Sequence, residues 1–213
     1  MFNLLSNEEL HIIRDNRITI HYEVGEIIQK QGTFMSHVIS VNSGLVKLYL
    51  EGDNHSNTIL RIVTPTNFIG GPGIYFDQLH HFTVSAMKKT TVCFIDLNVF
   101  KNILNQNSAF ATEFMRDFSK NVVSVYNRLI TISQKQLAGR MAYAILYLFE
   151  EVYENKAVII VVSKQDLADL SAISRDSAVK ILRDFQQEAL IRYTGNEIEI
   201  LQPEALRRIW SIS

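Results

Sequence analysis

The chain has 213 residues, 47% of them hydrophobic, with 21 Lys and Arg against 22 Asp and Glu and a formal net charge of −1. That size suffices for one or two buried cores in two modest domains, and the near-neutral balance excludes a bulk basic field of the kind that holds nucleic acid without specificity. A single cysteine excludes an internal disulfide and a cysteine-ligated iron–sulfur cluster, which needs about four thiolates.

The opening run MFNLLSNEEL lacks the basic start and long apolar core of a signal peptide, and a cytoplasmic protein is expected. Apolar runs such as residues 157 to 162 fall far short of the roughly 20 residues that span a bilayer. Residues 17 to 100 read as almost wholly β. Short apolar or alternating runs at 18 to 22, 27 to 29, 37 to 41, 45 to 50, 58 to 63 and 82 to 96 are separated by turn signals at Gly25, Gly32, Ser43-Gly44, Gly52-Asp53 and Pro65. Many short strands at this spacing predict a compact barrel, roll or jelly roll. Cys93, inside the apolar run Val92 to Ile95, reads as a core residue. His11, His21, His37 and His55 are scattered and support no site.

From residue 108 to 132 the pattern changes. Phe110, Phe114, Phe118, Val122, Val125, Leu129 and Ile132 recur at steps of four and three, one side of a long helix. Such a stripe either packs on its own β domain or forms a coiled-coil seam between two subunits, and dimerisation is the reading adopted. A hinge near Ser133 and a second helix over roughly 135 to 154 follow.

Residues 163 to 185, SKQDLADLSAISRDSAVKILRDF, predict two short helices joined by a tight turn. Ser163 caps the first, with Asp166 three residues on, and Ser174 caps the second, with Asp176 in its first turn. At about 100° per residue Ala178, Ile181, Leu182 and Phe185 share one face of the second helix; Arg175, Asp176, Val179, Lys180 and Arg183 share the other. A helix-turn-helix needs this division, because the N-terminal residues of its second helix reach base edges in the major groove. Arg175 suits guanine O6 and N7, Asp176 suits cytosine N4, Lys180 a guanine or a phosphate, and Val179 a thymine methyl. The same segment also fits an ordinary amphipathic pair with a solvated charged face. Residues 163 to 213 carry seven Lys and Arg against eight Asp and Glu, so binding rests on local placement of Lys164, Arg175, Lys180 and Arg183. The next residues decide between these readings: residues 189 to 193 read as a strand, Thr194-Gly195-Asn196 as a tight turn and Glu197 to Leu201 as a second strand, which makes a winged helix.

This C-terminal arrangement resembles that of bacterial regulators of the cyclic-AMP receptor protein and Fnr (Crp/Fnr) family. Ser174-Arg175-Asp176-Ser177 matches the run that opens their recognition helix, Ala172 stands where the turn glycine is common, and residues 137 to 142 are similar to the family's Gly-Arg-Ile-Ala helix. Val24-Gly25-Glu26-Ile27-Ile28, Gly32 and Ser43-Gly44-Leu45-Val46 resemble the start of a cyclic-nucleotide-binding β-roll. The resemblance spans nearly the whole chain. It implies an α+β fold with an N-terminal β-roll (double-stranded jelly roll) over 1–107, a dimerisation helix and hinge over 108–133, and a winged helix-turn-helix over 134–213. It also implies a homodimer on palindromic double-stranded operators, with RNA polymerase as a further partner and Ser163, Lys164, Ser174, Arg175, Asp176, Val179, Lys180 and Arg183 at the DNA.

The sensor pocket departs from the family. Residues 68 to 86 place Gly71 at the position of the glutamate that meets the ribose, and His81 at that of the arginine that meets the cyclic phosphate. No Lys or Arg occurs from Ile62 to Met87, and burying an unpaired phosphate is costly. Val125 and Tyr126 stand where small hydroxyl residues touch adenine. Cyclic AMP is therefore not expected. The effector pocket, if one exists, comprises Gly70, Gly71, His80, His81, Thr83, Val125 and Tyr126. No cofactor and no metal are expected, with haem at His80 or His81 the one option kept open, since relatives sense gases through haem. Gly70-Gly71-Pro72-Gly73 lacks the ending of a phosphate loop, and no nucleophile elbow or His-Glu-x-x-His appears, so no enzyme is expected. The competing class is a ligand-binding or scaffold module whose winged helix contacts protein.

Overall fold

The computed structural model describes all residues except Met1, residues 54–56, residues 157–158 and Ser213. His55 and the first two positions of the 157–162 run therefore lie outside the described residues. Two compact units emerge, Met1–Glu51 with Arg61–Ser124, and Gly52–Leu60 with Val125–Ser213.

Two four-stranded sheets make up the N-terminal half. Strands β1 (Arg17–Tyr22), β3 (His37–Ser43), β6 (Phe68–Ile69) and β8 (Thr90–Asp96) form one, in the order β1-β8-β3-β6. Strands β2 (Ile27–Gln29), β4 (Val46–Leu50), β5 (Thr58–Val63) and β7 (Thr83–Ala86) form the other, in the order β2-β7-β4-β5. Side chains alternate across a strand, so each sheet can bury one face on the other. Ile39, Val41 and Val92 from the first sheet accordingly share a core with Ile28, Leu48, Val84 and Ala86 from the second. The expected roll is present, and the run at 82 to 96 divides into β7 and β8.

The opposite face of β3 and β8 is covered by helices. Val38 and Ile95 pack there with Leu97, Phe100, Ile103 and Leu104 of α2 (Leu97–Gln106), Ile13 of α1 (Asn7–Asp15), and Phe110 and Phe114 of α3 (Ser108–Gln134). Each of the first two helices has its own start signal. Ser6 and Glu9 form a reciprocal capping box for α1, and the Asp96 carboxylate accepts from the amides of Asn98 and Val99 to cap α2.

Helix α3 runs for 27 residues, and the chain breaks at Lys135–Gln136, two residues past Ser133, before α4 (Leu137–Tyr147). A π-helical turn, Leu148–Val152, extends α4, so the helix expected over 135 to 154 is real but changes its winding. The second unit continues with β9 (Ile159–Val161), α5 (Lys164–Ser171), α6 (Arg175–Gln187), β10 (Ile191–Thr194), β11 (Glu197–Ile200) and α7 (Pro203–Ile212). β11 sits between β10 and β9, so the wing is a three-stranded sheet rather than a bare hairpin. Helices α4, α5, α6 and α7 supply its core, including Met141, Ile145, Leu167, Leu182, Phe185 and Leu206.

The apolar stripe of α3 is split. Phe110 and Phe114 are 0% and 9% exposed and belong to the roll's own core, so these two cannot serve a partner subunit. The correction has a local cause: β3, β8 and α2 leave an apolar face that the first turns of α3 close. Further along, Val125 and Leu129 are exposed, as are Met115, Val123, Tyr126 and Ile130, while Phe118, Val122 and Ile132 are intermediate. The exposed apolar face is thus rotated from the one that the spacing alone suggests.

Candidate functional site

Two regions hold the residues singled out from the sequence. In the second unit, the side chain of Ser163 accepts from the Asp166 amide at 3.0 Å and donates to the Asp166 carboxylate at 2.6 Å, starting α5. Ser174 starts α6 by accepting from the Ser177 amide at 3.2 Å. Between them, Ala172 takes the left-handed conformation, φ 50° and ψ 49°, and its amide donates to the Ala168 carbonyl. This is the backbone geometry for which glycine is favoured, and the chain adopts it without one.

The carbonyls of Asp169 and Leu170, two of the groups that a helix leaves unpaired at its C-terminus, both accept from Nη2 of Arg128, the first at 3.1 Å. Arg128 projects from the C-terminal half of α3 and is 5% exposed. Burial lowers the pKa of its guanidinium, while Tyr143 and Tyr147 act in the opposite sense, and its Nε–H has no hydrogen-bond partner among the described residues. Sequence inspection missed this contact; its one signal is a lone arginine within an otherwise apolar helical stretch.

On α6, Ala178, Ile181, Leu182 and Phe185 are buried. Ser174, Arg175, Asp176, Lys180 and Arg183 are exposed, and Val179, Ser163 and Lys164 are half-buried. Among the described residues Arg175, Lys180 and Arg183 form no ion pair. Several other charges of the unit are engaged. Arg192 pairs with Glu199 across the wing, and Arg207 bridges Glu150, at 2.6 Å, and Glu204. Asp169 is only 4% exposed, and its carboxylate accepts from Gln165. A stretch that sums to −1 can therefore still leave several cations clear on one helix face.

Tyr193 of β10 is tied to both helices. The Nζ of Lys164 stands 5.6 Å from its ring centroid, and its amide donates to Oε1 of Gln186, near the end of α6, at 2.9 Å. Its hydroxyl is buried and has no hydrogen-bond partner among the described residues. Burial raises the pKa of this phenol, and the positive charge of Arg175 acts in the opposite sense.

The second region lies in the roll. Gly71 has φ 79° and starts a 3-10 turn, Pro72–Ile74. A Cβ added there would stand 2.9 Å from Cε1 of Phe82, so that ring fills the place of a side chain at the glutamate position. Gly70 is buried beside Ile74. Thr83, fully buried, donates its hydroxyl to Glu51 at 2.6 Å and accepts from the Gln31 amide at 2.9 Å. This candidate pocket residue thus has its hydroxyl committed to a carboxylate.

His80 is 4% exposed, and desolvation, with a smaller contribution from the neighbouring His81, lowers its pKa to about 4. His81 places Nε2 3.0 Å from Oδ1 of Asp77. His80 is closed in, whereas His81 has one ring nitrogen engaged by Asp77. Among the described residues no group of three or more His, Cys, Asp or Glu side chains could hold a metal ion. Val125 and Tyr126 belong to the second unit and are exposed on α3, whereas Gly70, Gly71, His80, His81 and Thr83 belong to the roll. Cys93 is buried as expected, its sulfur accepting from Nδ2 of Asn42 at 3.1 Å. No helix among the described residues is long and apolar enough to cross a membrane.

Comparison with known proteins finds a match in each half of the chain. A cyclic nucleotide-binding domain model matches residues 19–107, and a Crp-like helix-turn-helix domain model matches residues 139–209. The chain is 22% identical over 183 residues to the transcriptional activator protein Anr of Pseudomonas protegens, covering 84% of this chain and 75% of that protein. It is 22% identical over 198 residues to the transcriptional regulator SdrP of Thermus thermophilus, covering 91% and 94%. Among solved structures, a Crp/Fnr-family regulator from Eubacterium rectale superposes with a TM-score of 0.78 at 22% identity, covering 99% of this chain and 97% of that one. These relatives are transcription regulators, not enzymes. With its roll, its long helix and its winged helix-turn-helix, the chain belongs to the Crp/Fnr family of transcription regulators and carries that family's DNA-binding domain.

Proposed function

We propose that the protein is a homodimeric, sequence-specific regulator that reads a palindromic operator with α6, and that its roll responds to a ligand other than cyclic AMP or to none. One observation carries the reading head: Arg175, Lys180 and Arg183 stand exposed on the face of α6 opposite its buried residues and form no ion pair among the described residues. Arg175, at the first turn, donates two bonds to a guanine; Asp176 accepts from a cytosine; Val179 meets a thymine methyl; Lys180 and Arg183 take a guanine or phosphates. Lys164, Ser163 and Ser174, at the starts of α5 and α6, meet the phosphate backbone.

The two subunits pair along α3. Met115, Val123, Tyr126, Leu129 and Ile130, each at least half exposed, give one helix an exposed apolar face of the kind that marks an interaction surface. Val125, with Phe118, Val122 and Ile132, flanks that face. The working division is a sensor over 1–107, a dimer helix over 108–133 and a reader over 134–213, in a cytoplasmic protein that meets RNA polymerase at its promoters. Absence of cyclic-AMP recognition is supported by the Phe82 ring beside Gly71 and by the Glu51 carboxylate bonded to Thr83.

Titration of duplex DNA with the purified protein over a range of salt concentrations tests the reading. Affinity should fall steeply as salt rises, as counterions are released from several neutralised phosphates. Salt-insensitive binding, or no binding to any duplex, would reject it.

A further inference from the structure

We propose that the hydroxyl of Tyr193 is a neutral hydrogen-bond donor to a DNA phosphate, covered in the free protein and uncovered when Lys164 engages the backbone; this rests on the reading of α5 and α6 as the DNA-facing helices. Tyr193 is fixed at several points. Its amide bonds to the side chain of Gln186, and it stands opposite the fully buried Ile198 in the β10–β11 pair. Above its ring lies the Lys164 ammonium, carried on a long flexible stem at the first residue of α5. The ring is therefore the fixed member of the pair and the lysine the mobile one.

A buried hydroxyl without a partner is unfavourable and uncommon in folded proteins. The hydroxyl lies within the field of Arg175 and stays protonated at neutral pH, so what it offers is a donor. A phosphate oxygen fits it best: it is an acceptor, it arrives with the DNA, and it is drawn toward Lys164 and Arg175, each of which acts on this tyrosine. Base reading falls to the N-terminal residues of α6, whereas the preceding helix, which Lys164 opens, crosses the backbone.

The test uses the full-length protein, fluorescence anisotropy, one duplex recovered by selection from a random library and one scrambled duplex, each at several salt concentrations. Tyr193→Phe removes only the hydroxyl. It should weaken binding to both duplexes alike, by about three- to thirty-fold, with the salt slope unchanged because a neutral donor releases no counterion. Its thermal midpoint should match or exceed that of the wild type, which separates a lost contact from a damaged fold. Lys164→Ala, by contrast, should lower the slope by about one. Wild-type binding by Tyr193→Phe beside a weakened Lys164→Ala would overturn the hydroxyl's role and leave the reading of the helices standing. Loss confined to the selected duplex would also overturn it, by pointing to a base contact. If Lys164→Ala and Arg175→Ala are both silent, the helix reading falls and the Tyr193 contact with it.

Discussion

The exposed face of α6 and the interior of the roll around Gly71 began from the same family pattern and ended in opposite states. On α6 the charges are outward and form no ion pair among the described residues, and the apolar residues beneath them hold the helix in place. In the roll, Phe82 crowds Gly71, Glu51 takes the hydroxyl of Thr83, and His80 is buried in a setting that keeps it neutral. One region keeps its chemistry available, and the other uses its polar groups on itself. Reading DNA and sensing a ligand are thus separable properties of this fold, since each depends on its own small set of side chains rather than on the shared architecture.

The largest effect should come from breaking the arrangement that duplicates α6. A charge placed in the exposed stripe, as in Leu129→Asp, should leave a folded monomer and weaken binding to a palindromic duplex by about 100-fold or more, since only one half-site is then held. Sedimentation and anisotropy on the same sample would check both parts, and an intact dimer would move the seam elsewhere.

Next comes the closed state of the roll. The pKa of His80 is lowered to about 4 from 6.5, so the unfolded chain binds its proton first as pH falls. The stability contributed by neutral His80 is complete above about pH 6.5 and is lost progressively toward pH 4, by at most about 3 kcal/mol. Denaturant melts at pH 7 and pH 5 should show the difference, and His80→Gln should flatten it; an unchanged slope in that variant would mean that other groups govern it.

On the reading side, Arg175→Ala should cost about 1 to 3 kcal/mol on the specific duplex and relax one base position. Equal loss on specific and random DNA would make Arg175 a phosphate contact instead. The smallest effect concerns the turn. Ala172→Gly relieves a left-handed alanine and should raise the stability of the reader by up to about 1 kcal/mol, read as a higher thermal midpoint.

The two regions also differ in how far they were legible. The reader is written locally: Ser163 and Ser174 cap, and Ala178, Ile181, Leu182 and Phe185 repeat with the helical period, so burial follows from spacing. Helices α1 and α2 carry equally local signals, the Ser6–Glu9 box and the Asp96 cap with Leu97, Phe100, Ile103 and Leu104 behind it, but they flank a region dominated by β pattern. The stripe of α3 is periodic throughout, yet periodicity cannot say which partner covers which turn. Phe110 and Phe114 go to the roll because β3, β8 and α2 present an apolar face there, a tertiary fact with no local mark. The same holds for Arg128, whose partners are carbonyls some forty residues away, and for Glu51, bonded to Thr83 from another strand end. Long-range contacts of this kind decide what the pocket can hold, which is why its residues were readable as departures from a family pattern but not as a built site.

Selection of bound duplexes from a random library by the purified protein tests the central claim most directly. The expected result is an enriched palindrome with half-sites about 10 base pairs apart, centre to centre, one for each copy of α6. Failure to enrich any sequence, or enrichment of a single half-site without its inverted partner, would contradict a dimeric reader built on Arg175 and its neighbours.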